Sequence, residues 1–69
     1  MSFNHDKLIA RIVELFRTRR AFANHIGWTD TKLSARLNNA IPLDADEIHL
    51  IKDALNIPDE EIVAYFFTP

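Results

Sequence analysis

Seven of the eight lysines and arginines fall in the first forty positions: Lys7, Arg11, Arg17, Arg19, Arg20, Lys32 and Arg36. Only Asp6, Glu14 and Asp30 oppose them there, so residues 1–40 carry a formal charge of +4. Residues 41–69 invert the balance, setting Lys52 against seven carboxylates for −6. The net −2 of the whole chain hides this division. Guanidinium groups make forked, charge-assisted hydrogen bonds to phosphate, and each phosphate they neutralise releases counterions. The basic half is therefore where a phosphate-bearing partner belongs, whereas the acidic half suits a basic protein surface.

Other chemistries have little to work with. His5, His25 and His49 stand far apart and there is no cysteine, so no metal-ligand spacing and no disulfide framework is present. The carboxylates of the second half fall mostly where helices begin, and the helix dipole accounts for them there. No nucleophile–base pair stands out. Neither enzymatic activity, nor a metal, nor a cofactor is expected. No run approaches eighteen apolar residues, and no basic segment followed by an apolar stretch opens the chain. The expectation is a protein without membrane association, in the cytoplasm of a prokaryotic or phage-infected cell.

The chain is short enough for one domain, 1–69, and its 48% apolar content is too high for a disordered segment. Its apolar residues recur at helical intervals. Leu8, Ile9, Ile12, Val13 and Phe16 give one buried face to a helix over 5–17, with Asn4 as cap and Glu14 outward and unpaired. Thr18 caps a second helix, Arg19 to Ile26, which Gly27 stops; Phe22, Ala23 and Ile26 point inward. Thr29 caps a third, Asp30 to Asn38, anchored by Leu33 and Leu37 and ended by Asn38-Asn39. After the linker Ile41-Pro42-Leu43, Asp44 and Glu47 form a capping-box pattern opening a fourth helix to about Leu55, with Ile48, Ile51 and Leu55 inside. Asn56 to Asp59, with Pro58, breaks it. A fifth helix starts at Asp59 and turns Ile62, Tyr65 and Phe66 to one side, with a strand over Val63–Phe67 as the alternative. The expected class is all-α with five helices.

The spacing from Thr18 to Asn39 is the most informative. A steep crossing of two helices needs a small residue at the close approach, which Ala23 supplies, and a turn residue free to take positive φ, which Gly27 supplies. Leu33 and Leu37 anchor one side of the third helix and leave the other side polar. That segment, Thr18-Arg-Arg-Ala-Phe-Ala-Asn-His-Ile-Gly-Trp-Thr-Asp-Thr-Lys-Leu-Ser-Ala-Arg-Leu-Asn-Asn39, resembles the helix-turn-helix of the phage repressor superfamily that includes the lambda and Cro repressors. It is closest to the small Cro-like or repressor-like type of Gram-positive phages and prophages. Asp59 to Phe67 resembles the last helix of those proteins, so the likeness spans nearly the whole chain.

The resemblance implies a lambda repressor-like DNA-binding domain, a transcriptional regulator that reads an operator's major groove with residues 30–38. It places Asp30, Thr31, Ser34 and Ala35 at base edges, the alanine offering only a methyl contact. Asp30 has an equal alternative as a first-turn residue that favours the helix dipole. The resemblance places Thr18, Arg19, Arg20, Thr29, Lys32, Asn38 and Asn39 along the DNA backbone. Trp28 reads as a plug between helices, and Arg19, Arg20 and Arg36 have an ordinary solvated surface role as their alternative. Tight operator binding calls for two copies one helical turn apart, and Tyr65, Phe66 and Phe67 are the expected homodimer contacts, Phe66 also closing the core. The competing reading keeps the fold as a protein–protein module, an antirepressor or corepressor acting on a second phage regulatory protein.

Overall fold

The computed structural model describes residues 3–69. Five α-helices follow one another: α1 Asp6–Phe16, α2 Arg19–His25, α3 Asp30–Leu37, α4 Ala45–Ala54 and α5 Ile62–Phe66. No strand occurs among the described residues. The domain is all-α.

Local chemistry sets most boundaries. Thr18, Thr29 and Asp44 each accept a hydrogen bond from the backbone N–H three residues on, at 3.1, 3.1 and 2.8 Å. Glu47 returns the favour, accepting from the Asp44 N–H at 3.2 Å and completing the capping box. At α1 the expected cap is displaced by one position. His5 occupies the cap site without a side-chain capping bond, while Asn4 Oδ1 accepts from the Asp6 N–H at 2.7 Å. The fifth helix also differs at its start: Pro58 leads into a 3-10 turn, Asp59–Glu61, before α5 begins.

The helix ends share one device. Gly27 follows α2 at φ 77°, and the Trp28 N–H donates to the Ala23 carbonyl at 2.8 Å across it. Asn39 and Asn56 take the same role after α3 and α4, at φ 66° and 55°. These left-handed residues let otherwise unpaired carbonyls of the last turn be satisfied. A Cβ at Gly27 would meet nothing within 4 Å, so only backbone conformation opposes a side chain there. Gly27→Ala is therefore expected to cost about 1–2 kcal/mol, read from urea unfolding midpoints. A loss below a few tenths would mean that the turn relaxes instead.

The core joins every helix: Leu8 and Ile12 from α1, Phe22 and Ala23 from α2, Leu33 and Leu37 from α3, Ile51 from α4, Leu55 and Ile57 after it, and Phe66 from α5. Val13, expected inside, is 48% exposed. At about 100° per residue it sits about 100° away from the Leu8–Ile12–Phe16 direction, beyond the buried arc. Glu14 points outward as expected but is not unpaired, since Arg11 Nη1 bonds it at 3.0 Å.

Long-range polar contacts tie the elements together. Arg11 Nε donates to the Leu55 carbonyl at 3.2 Å, putting a cation at the C-terminal end of α4 where the dipole favours it. Lys52 Nζ reaches Asp59 at 2.9 Å and Asp53 at 3.5 Å, and the hydrogen bond to Asp59 raises its pKa above the ordinary lysine value. The two ends of the chain meet: Asn4 N–H donates to the Thr68 carbonyl at 2.6 Å, and the rings of Phe3 and Phe67 pack edge to face at 5.4 Å.

Candidate nucleic-acid interface

The pair α2–α3 is held from within by Phe22, Ala23, Leu33 and Leu37, each at most 4% exposed. With Leu33 and Leu37 fixed inward, about 100° per residue turns Ser34, Asn38, Thr31, Ala35 and Lys32 through the outward arc of α3. Thr31 and Asn38 are exposed, and Ser34, Ala35 and Lys32 half-buried. The returning chain is tied to Ala35 through its backbone, the Ile41 N–H donating to the Ala35 carbonyl at 3.2 Å. Asp30 is exposed in the first turn, but the same angles place it toward the anchored side rather than at the centre of that arc.

The capping threonines retain donor capacity. Thr18 Oγ1 and Thr29 Oγ1 each accept from a backbone N–H, which leaves the hydroxyl hydrogen free to donate outward. Both residues are exposed.

The seven basic residues of positions 1–40 separate into two groups. Four have partners inside the domain. Lys7 Nζ lies 4.7 Å from the Tyr65 ring centroid, and Arg11 holds Leu55 and Glu14. Arg36 Nη2 and Nε donate to the two oxygens of Glu47 at 3.1 and 3.4 Å, with both side chains largely buried. Lys32 Nζ stands 3.8 Å from Glu47 and 4.5 Å from the Trp28 ring centroid. Trp28, half-buried against the core, is thus a platform for two cations. The remaining three, Arg17, Arg19 and Arg20, are exposed, and among the described residues none has a carboxylate within 4.0 Å. They flank the Thr18 cap where α1 gives way to α2.

Arg17 was not singled out by sequence reasoning. It takes φ 72° and ψ −40°, near the rare γ-turn conformation that strains any residue with a Cβ. The signal was there to read: only Arg17 and Thr18 separate α1 from α2, and neither is glycine.

Several expected site residues are engaged elsewhere. Arg36 is not a free surface residue, because Glu47 holds it. Asn39 Nδ2 donates to the Phe3 carbonyl at 2.7 Å, so that amide fastens the N-terminal segment. Asn38 Oδ1 accepts from the Ala40 N–H at 3.0 Å. Of the three consecutive aromatics, Phe66 is 1% exposed in the core of its own chain and offers nothing to a partner. Phe66 is therefore removed from the expected dimer contacts, since one helix face has already buried it. Tyr65 is half-buried beneath Lys7, and Phe67 is 39% exposed.

Among the described residues, no group of three or more histidines and carboxylates is placed to hold a metal ion. No described helix is long and apolar enough to cross a membrane. No curated protein matches the chain in sequence. A family model does match over residues 1–69, and the chain belongs to that family, described as a protein of unknown function (DUF739).

Proposed function

We propose that the protein is a sequence-specific double-stranded DNA-binding regulator of the helix-turn-helix kind, with α2 and α3 as its two helices and α3 lying in the major groove. One observation carries the reading: the three basic residues that have no carboxylate partner among the described residues, Arg17, Arg19 and Arg20, lie together at the start of the helix pair whose second member turns Thr31, Ser34, Ala35 and Asn38 outward with Lys32 beside them. Such a division suits phosphates beside a groove, with charge positioning the domain and the arc reading base edges. Thr31, Ser34 and Ala35 are the base-facing residues in this reading. Asp30 serves the dipole of α3, and Thr18 and Thr29 donate to phosphates. Lys32 contributes charge from the flank, and Asn38 lies against the backbone beyond the end of the helix. A second copy, meeting the first through Phe67 and the rim of Tyr65, doubles the contact as operator symmetry requires.

Selection from a random duplex library at low salt tests this directly. An enriched, two-fold symmetric site is expected, and Thr31→Ala or Ser34→Ala should relax its sequence preference at one position in each half. A library returned without enrichment would overturn the DNA reading and favour the protein–protein module.

A further inference from the structure

A cavity of about 320 Å³ opens beside α5, bordered by Phe3, His5, Leu43, Ile48, Phe66 and Phe67. That volume falls at the lower end of the range for small-molecule sites, about 300–1,000 Å³. Its lining is mostly aromatic and aliphatic. Two polar residues interrupt it: Asn39, whose amide Nδ2 is taken by the Phe3 carbonyl, and His5, whose residue is 6% exposed yet belongs to the wall.

The histidine's hydrogen bonding defines what the cavity asks for. Nδ1 lies 3.2 Å from the Leu37 carbonyl, and a carbonyl can only accept, so the ring proton sits on Nδ1. In the neutral ring Nε2 is then a bare acceptor. Among the described residues it has no partner, and none of their polar side-chain atoms is both sealed and unpaired. Nε2 is therefore not sealed, and the cavity is a space that the His5 residue borders. An acceptor set in an aromatic wall matches a flat apolar molecule carrying a single N–H or O–H donor.

We infer that this cavity is a binding site for a small aromatic molecule with one hydrogen-bond donor, of the indole or phenol class, held between the rings and donating to His5 Nε2. The site shares Phe67 with the dimer contact proposed above but does not rest on the DNA reading, and it is tested without DNA. Indole titrated into the full-length protein, followed by amide and histidine-ring nitrogen resonances, is expected to give saturable shifts at His5, Leu43, Ile48, Phe66 and Phe67. The probe 1-methylindole keeps the shape and loses the donor, and should bind roughly fivefold more weakly. Ile48→Phe, which fills the cavity from its half-buried rim, should abolish the indole shifts while the rest of the spectrum persists. If that variant does not fold, Leu43→Phe takes its place. Absence of saturable shifts with indole, equal affinity for both probes, or undiminished binding by the filled variant would each overturn the assignment.

Discussion

Glu47→Ala is expected to lower the thermal midpoint of the domain by about 10–20 °C, corresponding to a loss of about 2–3 kcal/mol. One carboxylate serves three partners on two helices. It accepts from the Asp44 N–H to open α4, receives the fork of Arg36 from α3, and lies within 3.8 Å of Lys32. Removing it leaves the Asp44 N–H without its capping partner, a loss of about 1 kcal/mol. It also leaves the Arg36 guanidinium unpaired where its side chain is only 16% exposed. A fully buried cation stranded this way costs about 3–5 kcal/mol, and partial access to water reduces that to about 1–2. For a chain of this size the whole stability is only about 3–10 kcal/mol, so the change is a large fraction of it. Glu47→Gln keeps an acceptor for Asp44 and Arg36 but loses the charge, and should fall midway. Circular dichroism melts of both variants check the order. A shift under 3 °C for Glu47→Ala would show that α3 and α4 are joined by packing alone.

What could be read from the sequence, and what could not, divides along chain distance. The caps at Thr18, Thr29 and Asp44 and the turn at Gly27 depend on residues within four positions of one another, and these local signals place α2 and α3 to within a residue. The inward residues Phe22, Ala23, Leu33 and Leu37 follow from periodicity alone and sit in the core. The pairings of the charged groups do not follow, because they are chosen by the fold. Arg36 finds Glu47 eleven positions away, Asn39 finds Phe3 thirty-six away, and Arg11 finds Leu55 forty-four away. Before folding, each of those partners had several equivalent competitors. The candidate interface was accordingly legible as a segment but not in its electrostatics. The +4 of residues 1–40 included four cations that face inward partners, and the charge left for a ligand gathers in the one place without them.

That residue of charge makes the second large prediction. In the double variant Arg19→Ala, Arg20→Ala, DNA affinity is expected to fall about 10–100-fold at moderate salt, for specific and unrelated duplexes alike. Each lost phosphate contact should also reduce the slope of log K against log salt by about 0.9. Both residues are exposed and have no carboxylate partner among the described residues, so the melting temperature should hardly change. Arg17 provides the sharper arm. Its φ of 72° is strained for any residue with a Cβ, and glycine would release about 1 kcal/mol or more of that strain. Arg17→Gly is therefore expected to melt at a higher temperature and to bind DNA more weakly, two changes of opposite sign that general misfolding cannot produce. Fluorescence anisotropy across a salt series, paired with thermal melts, reads both. A stabilised variant with unaltered affinity would remove Arg17 from the interface, and an unchanged salt slope in the double variant would remove Arg19 and Arg20. An arginine held at a strained position, where glycine would fold better, has then to be explained by its charge, which is why Arg17 is the residue on which the phosphate reading can most cleanly fail.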